Sequence, residues 1–281
     1  ISNSKKIKRI RCTGKVNALK RLLASSKLQG SCGIAHTRWA THGVPNLKNS
    51  HPHNYGRFSI VHNGIIENSD EIKNFLLQKS HKFSSDTDSE VIAHLLEYFS
   101  NKHNTLSKIL LNTFKKLKGS FALGIIYDGQ PDQIIVASNG SPILIGLGKD
   151  ANYISSDIHA LANKTKKYIS LEDNEFGIIT KDSFELFNIS GKKINRKPSV
   201  TKQNQNTVSK NGFKHFMQKE IFEQKDIIAR VIKDKIGSSK ILPNIFGPKS
   251  DQMLKSIKHV HFVACGTSYN ASLVAKYWIE E

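Results

Sequence analysis

The sequence is poor in cysteine, since only Cys12, Cys32 and Cys265 occur among its 281 residues. They are odd in number and far apart, and no two of them have the CxxC spacing of a metal-binding or redox pair. A disulfide framework and a zinc site are therefore not expected. Long apolar runs are also missing, because no uninterrupted stretch approaches the ~18 residues that a membrane-spanning helix needs.

A signal sequence is missing at the start of the chain as well. Lys5, Lys6, Lys8 and Arg9 form a basic beginning, but no apolar core follows them. These two absences predict a cytoplasmic protein without a membrane partner. Apolar residues are not depleted, since they make up 38% of the chain, and this excludes a disordered protein and predicts a globular one.

Acidic residues are scarce compared with basic ones. The chain has 42 Lys and Arg against 23 Asp and Glu, which gives a net charge of +19 and a pI of about 9.8. Such a charge is typical of nucleic-acid-binding proteins. The lysines, however, are scattered singly or in pairs such as Lys115-Lys116, without a dense basic run. This distribution favours a solvated basic surface and no nucleic-acid partner, and the alternative would require steeply salt-dependent binding to DNA or RNA.

Up to about Ile189 the spacing of the apolar residues changes repeatedly, between the period of two typical of a strand and the period of three to four typical of a helix. Thr87 and Glu90 predict a capping box at a helix start, and an apolar stripe from Leu106 to Leu117 predicts another helix. Many short strands around a block of helices predict an α+β fold of antiparallel sheets flanked by helices. The predicted strands cover residues 32–39, 58–62, 120–127, 133–138, 143–146, 168–171, 176–180 and 184–189.

A polar, unpatterned segment, PSVTKQNQNTVSKNG at 198–212, predicts a linker between two domains. A long helical pattern follows at 213–236. A compact apolar strand predicted at 259–264 then leads through the small-residue turn CGTS at 265–268 into a helix at 272–281. A strand, a turn and a helix in this order predict the start of an α/β domain.

The densest group of chemically useful residues is HTRWATHG at 36–43, at the end of a predicted strand. An arginine in this position, Arg38, can hold a carboxylate through a two-pronged contact while the following loop folds over it. A surface arginine beside a half-buried Trp39 explains the same residues equally well, so the pattern leaves both interpretations open.

Four histidines near this group, His36, His42, His51 and His53, raise the question of a metal site. No Asp, Glu or Cys completes a recognisable ligand spacing around them. We therefore expect them to be structural or loop histidines, and we expect no metal.

Asn63-Gly64 follows an apolar run at 58–61. Asn-Gly directly after a strand is the commonest signal for a short hairpin turn, and on the pattern alone this interpretation is favoured. In the functional interpretation, the Asn63 side-chain amide and the Gly64 backbone N–H form an oxyanion hole, and the glycine permits a close approach.

The acidic string SSDTDSE at 84–90 lies at a predicted helix start. Acidic residues in a first turn normally complement the helix dipole. An aspartate held there, such as Asp88, can also pair with an ammonium group. Arg38 for a carboxylate and Asp88 for an ammonium would together recognise the α-carbon end of a free amino acid.

Five strings occur in an order that resembles the bacterial type of the glutamine:fructose-6-phosphate amidotransferase family, the glucosamine-6-phosphate synthases. They are GIAHTRWATHGVPNLKNSHPH, HNGIIEN, SDTDSEVIAHL, HFMQKEIFEQ and ACGTSYNAS. The resemblance covers nearly the whole chain. Other class II amidotransferases share the arginine and Asn-Gly elements, whereas WATHG at 39–43 and the later CGTS turn are specific to this family.

The resemblance implies a fold and a reaction. Residues 1–197 would form a glutaminase domain, an N-terminal-nucleophile type sandwich of antiparallel sheets flanked by helices. Residues 198–212 would be the linker, and 213–281 a helical connection and the beginning of an α/β sugar-isomerase domain. Glutamine would be hydrolysed in the first domain, and its ammonia would pass to fructose 6-phosphate in the second, in a homodimer that needs no cofactor.

The resemblance also implies roles for individual residues. Arg38 would bind the α-carboxylate of glutamine and Asp88 its α-ammonium, while Asn63 and Gly64 would form the oxyanion hole. The other implied contacts belong to the loop that closes over glutamine, namely Trp39, Thr41 and His42, and to the sugar-phosphate turn, namely Gly266, Thr267 and Ser268.

One departure from the family bears on activity. Family members begin, after methionine removal, with a cysteine whose thiol is the nucleophile and whose α-amino group is the base. This sequence begins with Ile1, Cys32 lies in a predicted internal strand, Cys265 lies in the sugar-phosphate turn, and the chain stops soon after the second domain begins. We therefore expect a partial enzyme whose 281 residues are inactive alone. Two alternatives stay open: a non-catalytic glutamine-binding remnant, and another class II amidotransferase, which the CGTS turn disfavours.

Overall fold

The structure is a computed structural model that describes residues 1–2, 6–26, 28–38, 42–201, 209–233, 236, 247 and 250–281. The chain divides into two compact units, residues 1–209 and 210–281. Residues 202–208 of the predicted linker lie outside the described residues, and Ser199–Val200 of the same segment forms a strand. The linker bounds of 198 and 212 stay a prediction.

The first unit contains two antiparallel sheets. The strands are β1 (His53–Tyr55), β2 (Phe58–Ile66), β3 (Gly119–Tyr127), β4 (Gln130–Asn139), β5 (Leu144–Leu147), β6 (Asn152–Ser155), β7 (Lys167–Ser170), β8 (Glu175–Ile179), β9 (Phe184–Asn188), β10 (Lys193–Ile194) and β11 (Ser199–Val200). One sheet has the order β1-β2-β3-β4-β8-β9-β10, and the other has the order β11-β7-β5-β6. Each paired strand runs antiparallel to its neighbour.

Helices account for most of the remaining regular structure. Those of the first unit are α1 (Val16–Ser25), α2 (Ser69–Leu77), α3 (Glu90–Ser100), α4 (Leu106–Phe114) and α5 (Ile158–Leu161). Those of the second unit are α6 (Phe216–Lys233), α7 (Ser250–Ser256) and α8 (Gly266–Glu280). The helices predicted at 213–236 and 272–281 thus begin at 216 and 266. Within the ranges that the structure describes, no helix is long and apolar enough to span a bilayer.

The core of the first unit has two layers, because side chains alternate across the sheet. Along β3, Phe121, Leu123 and Ile125 face α2, α3 and α4, whereas Ala122 faces the second sheet. The layer under the helices also contains Phe58, Ile60, Leu76, Ile92, Leu96, Leu110 and Phe176. The layer between the sheets contains Val136, Ile143, Ile145, Ile169, Leu171, Ile179 and Leu186. The predicted α+β sandwich of antiparallel sheets flanked by helices is confirmed.

Two predicted strands are wrong. Residues 33–38 have no strand conformation, and Cys32 forms only an isolated bridge with Ser2. Residues 259–264 are not a strand either. A strand depends on a hydrogen-bonded neighbour, and no paired strand lies along either segment in the described part of the chain. The α/β sugar-isomerase domain therefore stays a prediction.

The predicted capping box is also wrong. The Glu90 carboxylate accepts backbone hydrogen bonds from Ser84 (2.8 Å) and Ser85 (2.6 Å) rather than from Thr87. The Thr87 hydroxyl instead lies 3.1 Å from Nε2 of His53. Glu90 thus folds residues 84–90 into a compact turn ahead of α3, and this turn carries Asp88 towards β2.

Candidate active site

A cavity of about 620 Å³ lies in the first unit and brings together residues from several separate segments. Its walls include Arg38, His42, Asn63, Gly64 and Asp88. A volume of several hundred Å³ is typical of small-molecule sites. Five side chains or backbone groups that the sequence singled out for one ligand therefore meet in one cavity.

The structure leaves the other predicted site residues untested. Trp39 and Thr41 lie outside the described residues. Gly266, Thr267 and Ser268 lie in the second unit, where Gly266 begins α8 with a φ of +60°. Their role in sugar-phosphate binding stays a prediction.

Asn63 and Gly64 lie inside β2, opposite Ala122 and Phe121 of β3, and not in a turn. The hairpin interpretation is therefore wrong, because β2 continues in register to Ile66. Gly64 has a φ of +127°, and a Cβ atom there would lie 2.0 Å from the carbonyl oxygen of Ser120. Only glycine fits this close approach between neighbouring strands, and it brings the backbone of residue 64 to the cavity wall.

Arg38 joins the cavity to the loop that follows it. Its Nη2 donates to the carbonyl oxygens of His42 and Gly43 (2.7 Å for Gly43), and its Nη1 donates to that of Val44 at 3.0 Å. The guanidinium is thus both a positive group in the cavity wall and the anchor of the loop at 42–44.

Asp88 is the acidic group of the cavity, and its residue is only 6% exposed. Its Oδ2 accepts a hydrogen bond from the backbone N–H of Ile66 at 2.8 Å, and its Oδ1 lies 3.8 Å from Nδ1 of His42. A buried carboxylate needs donors or a cation to offset its desolvation. The cavity therefore offers a cationic group at Arg38 and a carboxylate at Asp88.

Four histidines, which we call the histidine cluster, lie at the cavity: His53 and His62 are buried, and His36 and His51 are partly buried. The rings of His36 and His51 are 4.2 Å apart, and those of His51 and His53 are 4.7 Å apart. Burial lowers the pKa of all four, to about 4 for His53 and for His62. Among the described residues, no group of three or more His, Cys, Asp or Glu side chains could hold a metal ion.

Sequence analysis missed several polar residues of the cavity, namely His62, Thr87 and Ser89. Nδ1 of the buried His62 lies 2.8 Å from the Ser89 hydroxyl, and this contact joins β2 to the turn before α3. The sequence signal for His62 was its position at the end of an otherwise apolar run, directly before Asn63. A polar residue in such a position needs a buried partner, which the sequence alone does not identify.

Among the described residues, the lining of this cavity contains no cysteine. Cys12 lines a neighbouring cavity of about 470 Å³, and Cys32 lines a third cavity, where burial raises the pKa of its thiol to about 11. A thiol with so high a pKa is a poor nucleophile at neutral pH. Cys265 belongs to the second unit.

Comparison with protein families gives a match for residues 36–163 to the family described as "Glutamine amidotransferase domain". This range contains Arg38, Asn63, Gly64 and Asp88. Among solved structures, the chain is similar to the glutamine phosphoribosylpyrophosphate amidotransferase from B. subtilis, at 28% identity and a TM-score of 0.48. That match covers 56% of this chain and 35% of the other.

Comparison with curated proteins gives matches over the whole chain. The glutamine–fructose-6-phosphate aminotransferase [isomerizing] of Buchnera aphidicola is 41% identical over 283 residues, and that of Zymomonas mobilis is 42% identical over 279. These matches cover 100% and 98% of this chain, and 46% and 45% of the relatives. The chain therefore spans a little less than half the length of the curated relatives it matches.

The first unit is thus an antiparallel sandwich with a cavity in its matched range, and residues 36–163 are similar to a glutamine amidotransferase domain. Over its whole length, the chain is similar to the curated glutamine–fructose-6-phosphate aminotransferases.

Proposed function

We propose that the first unit is the glutamine-binding half of a glutamine–fructose-6-phosphate aminotransferase. The observation that carries this proposal is the meeting of Arg38, Asp88, Asn63 and Gly64 in one cavity. The names of the curated relatives support the same conclusion. The whole protein would transfer the amide nitrogen of glutamine to fructose 6-phosphate, giving glucosamine 6-phosphate and glutamate.

In this proposal the two charged groups orient the amino acid. The guanidinium of Arg38 binds the α-carboxylate, and the buried carboxylate of Asp88 binds the α-ammonium. The side-chain amide of glutamine then extends towards Asn63 and Gly64 on β2. There the Asn63 amide and the Gly64 N–H stabilise the oxygen that becomes negative when the amide is attacked.

The loop at 42–44 closes the site over the ligand. Arg38 already donates to three carbonyl oxygens of this loop. The same guanidinium would therefore contact both the ligand carboxylate and the loop. Trp39, Thr41 and His42 belong to this closing segment in the proposal. Closure excludes water from the acyl-transfer site.

The acceptor half of the reaction belongs to the second unit. Gly266, Thr267 and Ser268 would bind the sugar phosphate with the free N–H groups at the beginning of α8. We propose a cytoplasmic homodimer that needs no cofactor as the form of the whole enzyme.

We further propose that a polypeptide of these 281 residues binds glutamine without hydrolysing it. Hydrolysis by this class of enzyme needs a thiol at the oxyanion hole, and the described residues that line the cavity include no cysteine. A non-catalytic glutamine-binding protein is the alternative that the same cavity also fits.

Isothermal titration calorimetry of the 281-residue protein with L-glutamine tests the proposal. We expect binding of one L-glutamine, and D-glutamine should bind at least ~10-fold more weakly, because one of its charged groups is misplaced. A coupled glutamate assay on the same samples should detect no glutamate. Equal binding of the two enantiomers, or no binding, would reject the proposed site, and glutamate release would reject the inactivity of this polypeptide.

A further inference from the structure

A short hydrogen bond joins the histidine cluster to the cavity. Nε2 of His36 lies 2.6 Å from Oδ1 of Asn63, and both residues line the cavity wall. The His36 ring also packs against the ring of His51, whose centroid is 4.2 Å away. His51 in turn contacts His53, which reaches the hydroxyl of Thr87 beside Asp88. The orientation of Asn63 is thus fixed by packing as well as by a hydrogen bond.

The hydrogen-bond partners of the two ring nitrogens of His36 indicate which of them carries the proton. Nδ1 of His36 is buried and has no hydrogen-bond partner among the residues that the structure describes. If the single proton were on Nδ1, a buried N–H would be left without an acceptor, which costs the desolvation of that group. If the proton is on Nε2, the only donor of the ring is paired with Asn63 Oδ1. The neutral ring with the proton on Nε2 is therefore the favoured form.

The same hydrogen-bond partners determine the orientation of the Asn63 side-chain amide. A flipped amide would point its NH₂ group at Nε2, and the ring proton would then have to move to the unpartnered Nδ1. With Oδ1 turned to His36, the NH₂ group keeps its donors for the cavity. An oxyanion needs donors and would be repelled by the amide oxygen.

We propose that His36 is a positioning residue that orients the Asn63 amide so that its N–H donors face the ligand. This inference rests on the proposed function of the cavity as a glutamine site. His36 acts only through Asn63, and it exchanges no proton with the substrate. The class of ligand group that it prepares for is the oxygen of a carboxamide.

Two substitutions separate this role from packing. His36→Gln keeps an N–H donor at a reach similar to that of Nε2, whereas His36→Leu keeps the volume and removes the donor. By calorimetry we expect His36→Leu to bind L-glutamine at least ~10-fold more weakly than the natural protein, and His36→Gln to stay within ~3-fold of it. Thermal unfolding of each variant checks that the fold is kept.

Nuclear magnetic resonance of the natural protein gives a readout that needs no variant. The ¹⁵N shifts of His36 should show a protonated Nε2 and an unprotonated Nδ1 at neutral pH. The Asn63 NH₂ signals should move on addition of L-glutamine and should change in His36→Leu. A proton on Nδ1, or unchanged Asn63 signals in His36→Leu, would overturn the positioning role.

The two proposals fail in different ways. If the natural protein binds no glutamine, the proposed function fails, and the His36 tautomer and the Asn63 signals still decide the positioning role. If the natural protein and His36→Leu bind glutamine equally well, the positioning role is overturned while the glutamine site stands.

Discussion

Replacing Asp88 with asparagine is expected to weaken L-glutamine binding about 100-fold in calorimetry at neutral pH. Asparagine has nearly the same shape, and its oxygen can still accept the backbone hydrogen bond from Ile66. It lacks the negative charge, however, and its NH₂ group would face the α-ammonium of the ligand. Loss of a charge-assisted contact in a buried site is therefore the main cause of the weaker binding.

Asp86 provides the matched control for this variant. It lies two residues before Asp88 in the same turn, but its side chain is exposed and does not line the cavity. It contacts Nζ of Lys48 at 2.9 Å and Nδ2 of Asn49 at 3.3 Å. We expect Asp86→Asn to change glutamine affinity less than about twofold, since exposed ion pairs contribute little. Equal losses in both variants would contradict a specific role of Asp88.

Acidification is expected to destabilise the first unit by several kcal/mol between pH 6.5 and pH 4. Burial lowers the pKa of His53 and His62 from about 6.5 to about 4, so the folded form resists protonation in this window. The unfolded chain takes up those protons as the pH falls below 6.5, and this shifts the equilibrium towards unfolding. Each of the two groups contributes up to ~3 kcal/mol, and above pH 7 neither has an effect.

The charged neighbours of these two histidines act in both directions. Asp88 raises the pKa of His62, and Glu90 raises that of His53, but burial outweighs both. Arg9, Arg11 and Arg38 lower the pKa of His53 further. The net effect on the folded form is therefore a preference for neutral rings.

Denaturant unfolding at a series of pH values from 8 to 4 measures this effect. The free energy of unfolding should be nearly constant from pH 8 to 7 and should fall steadily below 6.5. His62→Asn should reduce the slope of the unfolding free energy against pH by the amount that corresponds to the uptake of about one proton. A substitution of the exposed His159 should leave this slope unchanged. A flat profile in the natural protein between pH 6.5 and 4 would show that these rings are protonated in the folded form as readily as in the unfolded one.

The charged ends of the site could be predicted from the sequence. Arg38 and Asp88 were identified because a carboxylate and an ammonium each require one opposite charge, and the structure brings both into one cavity. The strands of the core were also predictable from their alternating apolar residues, as in β3 and β4. These features are local, so the pattern of a few residues is enough to indicate them.

Other features depend on contacts that a single segment does not contain. Asn63-Gly64 has the pattern of a hairpin turn, yet β3 pairs along the whole of β2, and the Ser120 carbonyl requires glycine at position 64. Residues 32–38 have the alternation of a strand, but apart from the bridge between Ser2 and Cys32 no described segment pairs with them. The roles of His36 and His62 follow from burial and from partners on distant segments, which no local pattern encodes.

A structure of the 281-residue protein determined with L-glutamine tests the central claim most directly. The account predicts glutamine in the cavity of the first unit, with its carboxylate at Arg38, its ammonium at Asp88 and its side-chain oxygen facing the Asn63 NH₂ group. Glutamine bound elsewhere, or bound in this cavity with its α-carbon end at Asn63 and its amide at Arg38, would contradict the account.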